Sequence, residues 1–307
     1  KNSEKDITYL DERFRDDYFR PSQDLFKAYC EEIVNRYGIS NIVEKSQVDS
    51  INFDSDLEIF SLQTSTGMKR SRIVVLAIGS ALEPSLPSNS PFSFQVSVNH
   101  IMNRKHKTVV LPREKNQSDN SILIIGGGLT SAQVAKVAAD EGMTKIYLIL
   151  RDRLKTKHFD VDLHWLAKFK NKSLSEFYNA DSDTERWEIM KSARGGGSVN
   201  PEFRSVIGEL QRQGKLVLKQ YTVVKEARWD CETASWNVWL QGRKEGIEEV
   251  KVKQVIYATG TPVDICSLSI VEPILRSHPI STVGGMPCLT SDLMWKEDIP
   301  LFVTGKL

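Results

Sequence analysis

Three consecutive glycines, Gly126-Gly127-Gly128, close the apolar run Ser121-Ile122-Leu123-Ile124-Ile125 and open an apolar helical pattern at Leu129-Thr130-Ser131. Strand, tight turn and helix in that order make a cradle for a phosphate group. Gly126 allows the turn, and Gly128 lets the backbone come close to a pyrophosphate. The helix beyond, with Val134, Val137 and Ala138 on its apolar positions, presents unpaired N–H groups and the positive end of its dipole to the negative charge. The third position of the fingerprint is Ser131, small enough for close helix–strand packing. A second strand, Lys145 to Leu150, arrives at the spacing a dinucleotide-binding unit needs.

The residue ending that second strand meets the adenine ribose, where an acid favours NAD and an arginine favours a 2′-phosphate. Here it is Arg151, with Arg153 close by, which selects NADPH; a solvated basic loop is the plainer reading of the same residues. Other constellations are weaker. Arg194-Gly195-Gly196-Gly197-Ser198 reads as a hinge between helices, with a second phosphate nest as its alternative, since no apolar strand precedes it. The order His158, Asp160, Asp162, His164 suits neither one helical face nor a zinc spacing, so no metal is expected. His100, His106 and His278 stand isolated, and Trp229, Trp236 and Trp239 read as packing residues of strands. No Ser-His-Asp arrangement has supporting spacing, and no catalytic side chain is assigned.

Other elements surround the turn. Ser22 caps a helix with Leu25, Phe26, Tyr29, Ile33, Val34 and Tyr37 on one face, and Gly38 stops it. Strands are expected over Gln47–Phe53, Leu57–Thr64 and the buried Arg72–Leu76, with a turn at Thr66-Gly67. The proline-rich passage Glu83-Pro84-Ser85-Leu86-Pro87, with Pro91, reads as a linker, and 113–120 as a polar lead-in. A single helical stretch is expected over about 160–192, anchored by Trp165, Leu166, Phe169, Phe177, Trp187 and Met190. A helix over Pro201–Gln213 follows, capped by Asn200 and stopped at Gly214. Strands then run over Lys215–Leu218, Thr222–Trp229, Ser235–Leu240 and Val250–Tyr257.

Composition sets outer limits. With 307 residues, 40% hydrophobic and 26% charged, the chain has the makeup of a soluble two-domain protein. A net charge of +1 gives no argument for nucleic acid, and no apolar run reaches the length of a membrane span. Cys30, Cys231, Cys266 and Cys288 form no Cys-x-x-Cys pair, which speaks against a disulfide framework or dithiol chemistry and for an intracellular, cytoplasmic setting. The chain starts at Lys1 and stops just after an apolar strand-like run, so both ends read as cut and targeting signals cannot be judged.

Two further strand endings bracket the glycine turn: Val74-Val75-Leu76-Ala77-Ile78-Gly79 and Val255-Ile256-Tyr257-Ala258-Thr259-Gly260. Each would let a nucleotide or a crossing chain lie close to the backbone. In this order the motifs resemble the two-dinucleotide-binding-domain flavoproteins, most closely the flavin-containing and lysine/ornithine N-hydroxylating monooxygenase-like proteins. That family's chain leaves an FAD domain at an Ala-Thr-Gly-type motif, builds a nicotinamide domain and returns at a second such motif. Leu301-Phe302-Val303-Thr304-Gly305 resembles its C-terminal flavin-contacting strand. The chain departs from the family at three points. The first FAD glycine fingerprint is absent, Ala77-Ile78-Gly79 lacks the threonine, and the flavin segment stops at Leu307.

The resemblance implies an α/β fold, a Rossmann-like NAD(P)-binding domain over 112–260 inserted in a partial FAD-type domain made of 1–111 and 261–307. It implies NADPH at Gly126, Gly127, Gly128, Leu129, Thr130, Ser131, Arg151 and Arg153, with Gly79 and Gly260 toward the cofactors, and FAD in the intact protein. Two functions stand side by side: an NADPH- and FAD-dependent monooxygenase-like oxidoreductase on an unknown small substrate, or a degenerate relative serving as a scaffold. The 307-residue chain alone is expected to be inactive and to retain no FAD. A partner chain or a dimer mate is expected to cover the incomplete lobe.

Overall fold

A computed structural model describes residues 21–79, 84, 86–92, 97–103, 120–166, 170–243 and 246–305. The expectations for 1–20, Glu83, Ser85, His106, 113–119, Phe169, Lys306 and Leu307, and the boundary between 111 and 112, lie outside these residues. The described residues form two compact units: one of 21–79 and 264–305 with short pieces at 166 and 170–174, the other of 84–165 and 175–263.

In the first unit, α1 (Gln23–Tyr37) starts where Ser22 Oγ accepts the Leu25 N–H at 3.2 Å, and stops at Gly38 with φ +61°. None of its residues is buried: Leu25, Phe26 and Tyr29 are exposed. Strands β1 (Val48–Asp54), β2 (Ile59–Thr64) and β3 (Gly67–Ser71) form an antiparallel sheet in that order. β3 is not among the expected strands: Met68 is its one apolar side chain and only Ser71 is even half-buried, so there is no alternation to read. β4 (Val74–Leu76) corrects the expected buried strand over Arg72–Leu76: it is shorter and half-buried, with Val75 60% exposed.

The second unit is built on a five-stranded parallel sheet. Its members are β5 (Val98–His100), β6 (Ser121–Ile125), β7 (Lys145–Ile149), β8 (Leu216–Lys219) and β12 (Gln254–Tyr257). The spatial order is β5-β12-β6-β7-β8. Between β6 and β7 lies α2 (Leu129–Asp140). α3 (Lys170–Tyr178), α4 (Asp183–Arg194) and α5 (Pro201–Arg212) follow β7 in the chain. β9 (Thr222–Asp230), β10 (Ser235–Gly242) and β11 (Ile247–Val252) make a separate antiparallel sheet. Burial on both faces explains the unbroken apolar run of β6. Its Ile122 and Ile124 pack with Ala132, Ala135 and Ala138 of α2 and Ile207 of α5. Its Leu123 packs the other way, with Trp236, Val238 and Leu240 of β10 and Val250 and Val252 of β11.

The pairing of β5 with β12 draws the segment before residue 103 into this unit, which begins after Gly79 and ends at Val263. Two expected elements are divided. The helical stretch over 160–192 is a 3₁₀ turn at Leu163–Trp165, α3 and α4. The break is a helix start: Ser182 Oγ accepts the Glu185 N–H at 3.2 Å, and Glu185 accepts the Asp181 N–H at 2.9 Å. Val250–Tyr257 is two strands in two sheets, β11 and β12, parted at Lys253, whose N–H donates to Ser121 O at 2.9 Å.

The chain returns to the first unit through α6 (Glu272–Ser277), the hairpin β13 (Thr282–Val283) and β14 (Met286–Pro287), and then β15 (Met294–Lys296) and β16 (Ile299–Val303). β16 lies between β15 and β4 and runs parallel to β4. Trp295 is fully buried, its Nε1 donating to His278 O at 2.8 Å. Among the described residues no helix is long and apolar enough to cross a membrane.

The two faces of β6 and the exposed face of β4 predict opposite responses to truncation. Ile124→Ala should cost about 2–5 kcal/mol by leaving a cavity, and Val75→Ala no more than about 0.5 kcal/mol. Denaturant melts of both variants check this. Equal losses would contradict the burial pattern.

Candidate functional site: the glycine turn at the end of β6

Gly126 lies where the sheet order changes direction. β6 leads by way of α2 to β7 on one side, and β12 lies on the other. In an open parallel sheet this is the crevice where ligands bind. Both neighbours hold the turn: the Gly126 N–H donates to Ile149 O at 3.1 Å, and the Ala258 N–H donates to Ile125 O at 2.8 Å. Gly126 has φ +154°, and a Cβ there would overlap the Ala258 carbonyl oxygen and lie 2.9 Å from its carbon. Glycine is required by the passing chain as well as by the turn. A Cβ on Gly127 would meet Leu150 Cδ2 at 3.3 Å.

Gly128 is the N-cap of α2, and no side chain caps this helix. The first turn holds no acidic residue. In α1, α4 and α5, by contrast, Ser22, Ser182 and Asn200 accept a first-turn N–H. Leu129 and Thr130 are half-buried, and Ser131 is buried, its Oγ donating to Gly128 O at 2.6 Å. That bond folds the hydroxyl back on the turn, so Ser131 acts here by packing and by fixing Gly128. A glycine-shaped cradle with uncapped donors suits an anionic group.

Arg151 and Arg153 are exposed on the loop after β7. Arg151 lines an open depression of about 490 Å³ with Asp152, Tyr221, Val223, Gln241, Gly242 and Arg243. The Arg243 guanidinium lies 5.9 Å from the Tyr221 ring centre. Asp152, the one acid of that rim among the described residues, is engaged: it pairs with Lys155 at 2.9 Å and accepts the Arg153 N–H at 2.8 Å. The hydrogen bond from Lys155, then that from the Arg153 N–H, keep its carboxyl below the usual aspartate range. Tyr221 and Arg243 went unnoticed because their meeting with Arg151 is long-range in sequence.

Gly260 and Gly79 have φ +81° and +60°, and a Cβ on either would meet nothing within 4 Å. Ala258 makes a close chain approach on Gly126, while Gly79 and Gly260 adopt left-handed backbone with open space beside them. Gly79 follows β4 in the first unit. The segment 195–197 also departs from expectation: Gly197 lies against the Gly127-Gly128 backbone. Asp162 pairs with Lys157 at 3.3 Å, and among the described residues no group of three His, Cys, Asp or Glu could hold a metal.

Two histidines are not isolated. In the first unit His278 Nε2 lies 3.0 Å from Ser55 Oγ. In the second, His100 is 2% exposed; its Nδ1 accepts the Met102 N–H at 3.2 Å, and its Nε2 faces Thr259 Oγ1 at 3.2 Å. A backbone donor on Nδ1 fixes the proton on Nε2. Burial pushes its pKa down, against the Gly260 backbone bond, which raises it. A buried histidine thus tethers the strand ending that bears Gly260.

Residues 9–262 match the L-lysine 6-monooxygenase/L-ornithine 5-monooxygenase family. The chain belongs to this family. No curated protein matches the sequence. Solved structures share the fold. The ornithine hydroxylase of Pseudomonas aeruginosa, in its reduced form, is 16% identical with a TM-score of 0.67, over 98% of this chain and 73% of that one. The ornithine N-hydroxylase of Kutzneria sp. 744, in complex with reduced FAD, NADP+ and L-ornithine, is 17% identical with a TM-score of 0.68, over 98% and 75%. The FAD-bound cadaverine monooxygenase of Erwinia amylovora is 14% identical with a TM-score of 0.63, over 96% and 71%. The order of glycine endings therefore led to the right family and fold class.

The lowered pKa of His100 predicts the sign of a pH effect. Above the usual histidine range of about 6.5, both states are neutral and its neutral-form contacts stabilise the fold in full. Below it, the unfolded chain takes up a proton that the folded chain resists, so stability is lost as pH falls toward the folded value. Melting curves between pH 8 and 5 should show a shallower decline for His100→Gln than for the parent. Parallel curves would contradict the assignment.

Proposed function

We propose that the protein is an NADPH- and FAD-dependent monooxygenase that hydroxylates the side-chain amine of a basic amino acid or a related diamine. The family match carries the reaction class. The observation that carries the nucleotide site is the uncapped start of α2 behind the glycine turn. In this reading the N–H groups from Gly128 onward hold the NADPH pyrophosphate, with Gly126, Gly127, Leu129, Thr130 and Ser131 shaping the cradle. Arg151 meets the adenosine 2′-phosphate, with Arg153 on the same exposed loop. Gly79 and Gly260, with open space beside their left-handed backbone, face the cofactors where the chain leaves and rejoins the FAD-type unit. The boundaries of that unit follow the division after Gly79 and Val263. No observation favours the alternative of a degenerate scaffold.

NADPH, when bound, supplies a hydride. This chain's own residues bind and orient it: helix N–H groups take the pyrophosphate charge, and the guanidinium neutralises the 2′-phosphate. In the other unit, the described residues hold β16 parallel to β4 and no strand–glycine–helix turn. Those residues therefore hold no cradle of that kind for the FAD pyrophosphate. The exposed Leu25, Phe26 and Tyr29 of α1 support a partner chain or dimer mate on that unit.

Two measurements test this reading. Titration should show the parent preferring NADPH to NADH, and Arg151→Ala should weaken NADPH by about tenfold while sparing NADH. A parent without preference would overturn the arginine assignment. The 307-residue chain, purified alone, should also be colourless and without amine-dependent NADPH oxidation. Flavin released on denaturation at about one per chain would show that the single-cradle argument fails.

A further inference from the structure

The nucleotide reading gives no role to Gly195-Gly196-Gly197, yet this segment is held against the cradle. A Cβ on Gly197 would lie 3.0 Å from Gly128 N, 3.1 Å from Gly127 C and 3.2 Å from Gly128 Cα. All three are backbone atoms, which cannot swing aside as the tip of a side chain can. Gly128 N is also the first donor of the uncapped helix start. Gly197 itself is exposed, so it sits at the edge of the cradle rather than in the core. Any side chain there would push the turn and cover the donor together.

The segment is fastened from behind. Lys157, whose side chain is 14% exposed, donates from Nζ to the carbonyls of Ala193 at 2.9 Å and Arg194 at 3.2 Å. Lys155 Nζ donates to Gly195 O at 2.8 Å and pairs with Asp152 beside Arg151 at 2.9 Å. These are the last carbonyls of α4 and its cap, the negative end of the helix, where an ammonium is most favourable. A parallel bridge continues the fastening: the Lys157 N–H donates to Val199 O, and the Val199 N–H to Lys155 O, each at 2.9 Å. A free hinge would have neither the two ammonium clamps nor the backbone contact.

We infer that Gly197 is a positioning residue for the nicotinamide dinucleotide: its bare Cα forms the wall opposite the Gly126–Gly128 turn and leaves the Gly128 N–H open to the pyrophosphate. Lys155 and Lys157 hold that wall in place. The inference rests on the reading of Gly126–Ser131 as the NADPH pyrophosphate site and adds its second side.

The test is calorimetric titration of the full chain with NADP+ and with adenosine 2′-monophosphate, which carries the 2′-phosphate but no pyrophosphate. Gly197→Ala should weaken NADP+ by about tenfold or more and leave the monophosphate within about twofold of the parent. A loss that merely reflected a damaged fold would weaken both ligands. Gly196→Ala, strained at φ +86° but with its Cβ 4.0 Å from Lys155 Nζ and clear of the turn, should melt earlier and still bind NADP+. If Gly197→Ala does not fold, Lys157→Met decides: it should weaken NADP+ by about threefold or more without affecting the monophosphate. Unchanged NADP+ affinity in the deciding variant, or equal loss of both ligands, overturns the inference while the nucleotide site stands. A parent that does not bind NADP+ overturns the nucleotide site and the inference with it.

Discussion

Backbone packed on backbone is the constraint on which the candidate site depends. At the end of β6 three separate stretches of chain come within contact distance without side chains between them: Gly126–Gly128, Ala258 and Gly197. Interiors tolerate almost no overlap, so the missing Cβ of Gly126 is a condition for Ala258 to be where it is, and that of Gly197 for the Gly127-Gly128 backbone. The arrangement leaves a helix start with its donors uncapped and its entrance unblocked. In the proposed reading, a turn that holds phosphate is defined as much by the atoms it lacks as by those it presents.

The charges around the turn divide into two roles. Arg151 and Arg153 are exposed and point their chemistry outward. Lys155 and Lys157, two and four residues farther along, are turned inward onto the carbonyl end of α4. Asp152 stands between the groups and is held by Lys155. One short basic stretch thus holds both outward-facing cations, which the proposed reading gives to the ligand, and inward ammonium groups that fasten the end of α4. His100 does a comparable service after β12, tying Thr259 to a buried ring beside the strand that leads into Ala258.

What the sequence made legible was local. The strand, the three glycines and the helix of 121–140 lie in one continuous segment, and the double burial of β6 is written in its unbroken apolar run. Ser22, Asn200 and Gly38 announced their helix ends by residue type. The rest depended on distant contacts. Nothing around Gly197 marks it as a neighbour of Gly128, because the two are brought together by tertiary packing. Lys155 and Lys157 looked like a solvated basic run until the end of α4 was placed beside them. β3 and β5 carry too little apolar pattern to be seen, and the split of Val250–Tyr257 between two sheets is set by pairing partners rather than by its own residues. The strand endings at Gly79 and Gly260 stand out by residue type, but their left-handed backbone and the open space beside them need the surrounding atoms.

The central claim is that a dinucleotide settles on the Gly126–Ser131 turn with Gly197 as its opposite wall. Hydrogen–deuterium exchange of the 307-residue chain, with and without saturating NADP+, reads this directly at the backbone. Amides of peptides covering 121–133 and 193–199 should gain protection together, because the proposed reading sets both against the pyrophosphate. Protection that appears elsewhere and leaves both of those peptides unaltered would contradict the account.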